Sequence, residues 1–266
     1  MTLRVLYLLA CFFFNRVFAA PVDNTLYQFG RIDISSGYSN NQINCIYKDK
    51  QGFMWFGTMS GLNRYDGYHF KIFKHSQQDT MTINDDFVTR IFEGPDDKLW
   101  IETRYGLNIY DPAAEKFDRD PSDFLKKSGI GNGAPATGIA KDSKGNFWFY
   151  GTDGLFLYEP KAKTTTAFTH KPNDNFSISA GGIAAFKEDG KGNLWILFQD
   201  GTLEMMEGIS KKIFSRNSEL RKVYSNAPIY YKLFIDADND VWIYTANNPR
   251  GVVLFRPQLN TVEHFS

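Results

Sequence analysis

The chain has 266 residues and equal numbers of basic and acidic side chains, 30 of each. This balance excludes the strong positive charge that is typical of proteins binding nucleic acids or anionic membranes. Aromatic residues make up 16% of the chain, and the abundance of Phe and Tyr favours strands over helices.

The first twenty residues have the pattern of a secretory signal peptide. Arg4 precedes an apolar stretch at 5–14, and the small residues Ala19 and Ala20 suit a cleavage site. We therefore predict a signal peptide at 1–20 and a periplasmic mature chain, anchored at the inner membrane if it is part of a full-length sensor. A membrane anchor is the alternative, although the apolar stretch is about half as long as a spanning helix. Lipoprotein processing at Cys11 is a second alternative.

Two features follow the signal peptide. Residues 24–35 alternate loosely between apolar and polar side chains, which predicts a strand that could complete a further sheet. Cleavage would leave Cys45 as the one cysteine of the mature chain, so no internal disulfide is expected. Because Cys45 lies in an apolar strand pattern, we predict a small buried residue and not a nucleophile.

The first complete unit, at about 37–73, reads as four strands separated by turns. The predicted strands are 44–48, 53–58, 62–65 and 69–73. The dipeptide Asp66-Gly67 lies between two apolar alternations, which is a strong hairpin signal.

This unit recurs along the chain, and each copy contains one tryptophan. The tryptophans are 45, 48, 47 and 47 residues apart, at Trp55, Trp100, Trp148, Trp195 and Trp242. The units cover about 37–73, 84–117, 134–168, 179–214 and 228–265. Four-stranded units at this period predict one all-β domain at 21–266, a β-propeller of antiparallel blades. We expect the tryptophan rings to pack between neighbouring blades, since stacking buries the apolar faces of the sheets.

A turn precedes every tryptophan, and its residues have a structural explanation. An aspartate stands six residues before the tryptophan in four units, whereas the second unit has Gly94 at this place. Aspartate can accept a hydrogen bond from its own backbone two residues on, which stabilises a tight turn. The acidic stretch 236–240 resembles a calcium loop but lacks the glycine and glutamate that such a loop needs, so we predict a hairpin turn.

The first unit closely resembles the two-component regulator propeller repeat. The resemblance is carried by Gln51–Thr58, with the sequence QGFMWFGT, and by Gly61–Gly67, with GLNRYDG. It implies the exported sensor portion of a hybrid two-component sensor, with a histidine kinase downstream and a homodimeric full-length protein. The family's propellers are commonly seven-bladed, so we expect these five units to form part of a larger propeller. A free-standing five-bladed ring, closed by the strand at 24–35, is the alternative.

Candidate ligand-binding residues lie in the turns between the second and third strands, because loops vary while the blades hold them rigidly. They combine an aromatic ring with polar groups suited to hydroxyls. The candidates are Arg104, Tyr105, Asp153, Asp200, Asn247, Asn248 and Arg250.

Neither a catalytic residue nor a metal or cofactor site is expected, because the four histidines lack the spacing of metal ligands. Together with the signal peptide, the family resemblance implies a periplasmic ligand-sensing propeller that responds to an oligosaccharide or similar small ligand. The sequence predicts no contact with nucleic acid, and contact with the membrane only through segments outside this chain. The alternatives are an exported five-bladed glycosidase or lyase, which would need a converging pair of carboxylates, and a protein-binding scaffold.

Overall fold

The computed structural model describes residues 37–131, 136–223, 231–245 and 251–265. Within these ranges, twenty strands form five four-stranded antiparallel sheets. The predicted all-β propeller of four-stranded blades is therefore confirmed. The predicted signal peptide at 1–20, the predicted strand at 24–35 and the candidates Asn247, Asn248 and Arg250 lie outside the described residues.

Each blade is an up-and-down meander in which consecutive strands pair. Blade 1 consists of β1 (Ile43–Lys48), β2 (Met54–Thr58), β3 (Gly61–Tyr65) and β4 (Phe70–Phe73). Blade 2 consists of β5 (Val88–Glu93), β6 (Leu99–Thr103), β7 (Gly106–Asp111) and β8 (Lys116–Asp118). Blade 3 consists of β9 (Ala136–Lys141), β10 (Phe147–Gly151), β11 (Leu155–Glu159) and β12 (Thr164–Phe168).

The last two blades repeat this order. Blade 4 consists of β13 (Ile183–Glu188), β14 (Leu194–Phe198), β15 (Leu203–Met206) and β16 (Ile213–Asn217). Blade 5 consists of β17 (Tyr231–Ile235), β18 (Val241–Thr245), β19 (Val252–Arg256) and β20 (Thr261–Phe265). In blades 1 to 4 the first strand contacts the first strand of the following blade, so these strands lie on the inner side of the array.

The connections between blades contain short helical segments that the sequence pattern did not predict. The connector from blade 2 to blade 3 includes a helix at Ser122–Lys127. The connector from blade 4 to blade 5 includes a single helical turn at Leu220–Val223. A 3₁₀ turn at Pro95–Asp97 joins β5 to β6. Among the described residues, no helix has the length and apolar character needed to span a membrane.

Four of the five tryptophans are held by the aspartate of the preceding turn. In blade 1, Asp49 Oδ1 accepts hydrogen bonds from the backbone N–H of Gln51 and Phe53, each at 2.9 Å. The prediction of aspartate turn chemistry is thus confirmed. Asp49 Oδ2 accepts a third bond from Trp55 Nε1 at 2.7 Å. The same indole bond recurs as Trp148 to Asp142 (3.1 Å), Trp195 to Asp189 (3.1 Å) and Trp242 to Asp236 (2.7 Å).

The tryptophan rings fill the interfaces between blades, always in the same direction. Each of the first four contacts an aromatic ring of the following blade. The ring pairs are Trp55–Tyr110 at 5.2 Å, Trp100–Phe149 at 5.5 Å, Trp148–Phe186 at 5.3 Å and Trp195–Phe255 at 5.9 Å between centroids. These four tryptophans are fully buried, which confirms their predicted place between blades.

Trp242 differs from this prediction because no described blade covers its side of blade 5. Its ring is partly exposed and stacks on Phe265 of its own blade. Phe234 lies opposite Trp242 in the strand register and is 57% exposed. At the other end of the array, Ile46 on the outer face of blade 1 is 58% exposed. Blades 5 and 1 therefore each present one uncovered apolar face.

Ion pairs add to the apolar contacts between blades 1, 2 and 3. Glu93 of β5 lies between Lys50 of blade 1, at 2.9 Å, and Lys141 of blade 3, at 2.7 Å. Burial acts to raise the pKa of Glu93, but the hydrogen bonds from Lys141 and Lys50 outweigh it and hold the pKa below its usual value. One carboxylate therefore links three blades.

Candidate functional site

The candidate residues lie at one end of the sheets, where two kinds of loop meet. The turn between the second and third strands of a blade, called the b–c turn, lies beside a connector that leaves the blade, as in blade 1, or enters it, as in blade 4. Gly61 N donates to Asp86 O at 2.8 Å, and Gln199 N donates to Gly182 O at 2.9 Å. We call this end, formed by the b–c turns and the connectors, the loop face.

Buried polar side chains hold the connectors against the b–c turns. Asn108 of β7 is fully buried, and its Oδ1 accepts a hydrogen bond from Asn84 N at 2.9 Å. Its Nδ2 donates to Asn84 Oδ1 at 2.9 Å. Asn63 makes the equivalent pair of bonds with Ser39 in blade 1. The asparagine of the Gly-Leu-Asn motif, which the sequence analysis left without a role, thus fixes the loop face.

In blade 4 the same place is occupied by Glu204, a fully buried carboxylate. It accepts a hydrogen bond from Ser179 Oγ at 2.6 Å and forms an ion pair with Arg216 Nε at 2.5 Å. Its charge is therefore paired, which is what a buried carboxylate requires. We assign it the same positioning role as the asparagines.

Arg104 forms a two-point contact with a buried carboxylate. Its Nε and Nη2 donate to the two oxygens of Asp85 at 3.2 and 3.1 Å, and its guanidinium lies over the ring of Phe87. Burial acts to raise the pKa of Asp85, but the hydrogen bonds from Arg104 and from Phe87 N outweigh it and lower the pKa. Arg104 is still 60% exposed, so it can contact a ligand as well.

Tyr105 is the most accessible of the described candidates. Its side chain is 74% exposed, and the Arg104 guanidinium lies 5.9 Å from its ring centroid. The backbone below is fixed, because Tyr105 N donates to Thr103 Oγ1 at 3.2 Å. An exposed ring on a fixed turn offers a stacking surface with little entropic cost on binding.

Asp200 is engaged in an ion pair that the sequence analysis missed. Its Oδ1 accepts a hydrogen bond from Thr202 N at 2.8 Å, and its Oδ2 pairs with Arg221. Arg221 also donates to Thr202 Oγ1 at 2.6 Å. Since Arg221 stands in the helical turn of the connector, far from Asp200 in sequence, spacing alone gave no signal for it.

Asp153 lies in the b–c turn of blade 3, beside a small cavity lined by Leu125, Ile130 and Tyr150. The cavity measures about 10 Å³, which is no more than one water molecule occupies. Within the described ranges, no hydrogen bond or ion pair joins any two of Arg104, Tyr105 and Asp200. The structure places these residues on one face without assembling them into one cluster.

The sequence analysis also did not predict an ionic network on the inner strands, which consists of Arg90, Glu102 and Lys232. Arg90 of β5 donates to Glu102 Oε1 at 2.6 Å and to the backbone oxygen of Thr137, in blade 3, at 2.5 Å. Lys232 of β17 approaches this network, where burial and the charge of Arg90 lower the pKa of its amine. Arg90 therefore connects blades 2 and 3, and Lys232 adds positive charge beside it.

The hairpin predicted for 236–240 is confirmed, with Asp236 N donating to Asp240 O at 3.1 Å. In the part of the chain that the structure describes, no group of three or more His, Cys, Asp or Glu side chains is arranged to hold a metal ion.

Comparison with known protein families identifies the repeat. Residues 37–60, which include β1, β2 and the turn between them, match the family model of the two component regulator propeller. Residues 37–60 are thus similar to one two component regulator propeller repeat. The resemblance seen in the sequence is thereby confirmed for this segment. It also includes Asp49 and Trp55, the hydrogen-bonded pair of blade 1.

A curated relative contains a similar segment. Histidine kinase P4 of Formosa agariphila is 34% identical over 61 residues, which are 23% of this chain and 4% of that protein. The similarity therefore extends over a short part of a much longer protein.

Solved structures share the fold over most of the chain. The extracellular domain assigned to the hybrid two component system BT3049 of B. thetaiotaomicron has a TM-score of 0.63 and 22% identity, covering 88% of this chain and 31% of that one. The extracellular domain assigned to the one component system BT4673 of the same organism has a TM-score of 0.60 and 21% identity, covering 88% and 33%. The chain thus spans about a third of the length of these structures.

Proposed function

We propose that this propeller is the ligand-sensing part of a periplasmic or extracellular two-component sensor. The observation that carries the proposal is the match of residues 37–60 to the two component regulator propeller. The similarity to a histidine kinase and the shared fold with extracellular domains of signalling systems support it. In this proposal the residues of this chain bind and do not catalyse, and kinase activity belongs to a downstream domain of a homodimeric full-length sensor.

The proposed ligand is an oligosaccharide bound on the loop face. Tyr105 offers an exposed aromatic ring for the apolar face of a sugar, and the neighbouring Arg104 offers donors for its hydroxyl oxygens. The balanced charge of the chain suits a neutral ligand. Because Asp85 orients Arg104, ligand contacts here would begin from a largely preformed surface.

We further propose that additional blades of the same kind cover the exposed faces of blades 1 and 5. Trp242 keeps the hydrogen bond to aspartate that blades 1, 3 and 4 also have, but among the described residues no ring of a following blade contacts it. The seven-bladed propeller that the family resemblance implies would supply such a ring. Sedimentation of the chain with and without neighbouring segments tests this, because uncovered faces should promote self-association.

Calorimetric titration with a panel of oligosaccharides, alongside analysis of released products, tests the sensing role. We expect saturable binding without turnover, and weaker binding by Tyr105→Ala. Tyr68→Ala is the matched control, because Tyr68 is 86% exposed but lies in the turn between the third and fourth strands of blade 1, at the opposite end of the sheets. Turnover of a saccharide would favour the glycosidase or lyase alternative and overturn the proposal.

A further inference from the structure

Blade 2 departs from the other blades at the turn before its tryptophan. Gly94 stands where the others have aspartate, and its N–H donates to Lys98 O at 2.9 Å. A Cβ atom on Gly94 would lie 2.1 Å from Cδ1 and 2.3 Å from Nε1 of Trp100. The indole therefore occupies the place of a side chain, and an aspartate cannot stand here without moving it.

As a consequence, the indole N–H of Trp100 has no aspartate in the preceding turn to accept its hydrogen bond. Within the described residues no hydrogen bond from Trp100 Nε1 is present, although the residue is 1% exposed. Its ring is fixed by edge contacts with Phe124 and Phe149, at 5.5 Å each between centroids. In the described part of the chain, the buried side-chain polar atom without a partner is the hydroxyl of Tyr110, so Trp100 Nε1 is reached from the adjoining cleft and can donate to a group that enters it.

Trp100 lines a cleft of about 450 Å³ beside the outer strand of blade 2. This volume is within the range of small-molecule sites. Apolar side chains on its wall include Met81, Ile109 and Phe124. The charged residues of the wall are four aspartates and three lysines, so the cleft has nearly balanced charge. Two of the lysines are paired within it, Lys98 with Asp111 at 3.5 Å and Lys127 with Asp123 at 3.8 Å.

We propose that this cleft binds a small neutral polyhydroxylated ligand, of the size of one or two sugar residues. A hydroxyl oxygen can accept a hydrogen bond from Trp100 Nε1, while other hydroxyls donate to carboxylates such as Asp96 and Asp118. An anion would meet the aspartates, and a simple cation would offer no acceptor to the indole. The proposal rests on the proposed sensing role only for its biological meaning, because binding can be tested alone.

Indole ¹⁵N resonances of the full chain provide a direct readout, since there are five tryptophans and each can be assigned by substitution with Phe. The probes are glucose, galactose, xylose, maltose and cellobiose, with galacturonate and lysine as charged comparisons. We expect at least one neutral sugar to shift the Trp100 resonance saturably and to leave the Trp148 and Trp195 resonances in place. A shift of Trp100 with none of the neutral sugars overturns the proposal.

Variants at the rim test the location of binding without disturbing the core. Met81 and Ala114 are exposed, and Met81→Arg or Ala114→Arg should weaken binding about tenfold or more by filling the mouth of the cleft. Met59→Arg is the matched control, because Met59 is exposed on the loop face and does not line the cleft. Unchanged binding by both rim variants would contradict the assignment.

The role of the indole donor is tested by a pair of matched substitutions. Trp100→Phe should weaken binding about threefold to tenfold, the value of one hydrogen bond, whereas Trp148→Phe, whose indole donates to Asp142, should leave affinity unchanged. If a sugar binds without shifting the Trp100 resonance and Tyr105→Ala abolishes that binding, the proposed cleft site is wrong and the proposed sensing role is retained. If a sugar shifts the Trp100 resonance and is also converted to product, the proposed cleft site is supported and the proposed sensing role is contradicted.

Discussion

Trp148 and Phe186 lie in adjacent blades with their ring centroids 5.3 Å apart and their planes inclined by 31°. Trp148 is fully buried between blades 3 and 4, whereas Trp242, its equivalent in blade 5, is partly exposed. Two tryptophans with the same hydrogen bond to aspartate therefore differ in burial, and among the described residues a following blade covers only Trp148 of the two.

Replacing Trp148 by Ala should lower the free energy of unfolding by about 3–5 kcal/mol, because it removes apolar contacts and leaves a cavity. Trp242→Ala should cost clearly less, since part of its ring is already in contact with solvent. Urea unfolding followed by circular dichroism measures both. A loss of less than about 1 kcal/mol for Trp148 would contradict the described packing.

Glu93 should make stability depend on pH in the acidic range. Its pKa lies below the ordinary glutamate value of 4.5, so its contribution to stability is present above that pH and is lost as the pH falls through the folded-state pKa. Because both lysines are partly exposed, Glu93→Gln should cost about 1 kcal/mol at pH 7 and less at pH 3. Urea unfolding at the two pH values measures this, with Glu207→Gln on the exposed surface as control. A cost that is unchanged at pH 3 would contradict it.

Cys45 should react slowly with alkylating reagents. Burial raises the pKa of its thiol to about 11, so the reactive thiolate is scarce at pH 8. In a Cys11→Ser background, the rate of modification by iodoacetamide should increase strongly between pH 8 and 11, and on unfolding in urea at pH 8. Rapid modification of the folded chain at pH 8 would show that Cys45 is a reactive thiol.

Replacing Asn108 by Ala should loosen the loop face. It removes the acceptor of Asn84 N and leaves buried polar groups without partners, which should cost about 1–3 kcal/mol. Hydrogen exchange of the Asn84 amide should accelerate relative to amides in β6. Gln78→Ala, on the exposed connector, serves as control and should leave the exchange at Asn84 unchanged.

Much of the fold could be predicted from the repeat, because its residues act locally. Asp49 and Trp55 are six residues apart, and their turn, hydrogen bonds and strand all lie within one copy. The predicted strand 44–48 differs from β1 by a single residue at its start. Even the exception at Gly94 was visible in the sequence, although its meaning required the position of the Trp100 ring.

The candidate sites were harder to predict because their partners are distant in sequence. Asp200 pairs with Arg221, and Arg104 with Asp85, each across two strands and with the partner in a connector. Arg90 reaches the backbone of Thr137 in the next blade. The repeat period of the sequence does not relate such residues to each other. It therefore identified the turns that contain the candidate residues, but not the hydrogen bonds and ion pairs that these residues form.

The common direction of the tryptophan contacts makes the two ends of the array unequal under truncation. Removing blade 5 would uncover Trp195, which packs on Phe255, whereas removing blade 1 would take Trp55 away and uncover only the face of blade 2 that received it. Each blade thus depends on its successor to shield its largest side chain. Removal of blade 5 would therefore put Trp195 in place of the partly exposed Trp242 at the uncovered face, whereas removal of blade 1 would leave Trp242 there.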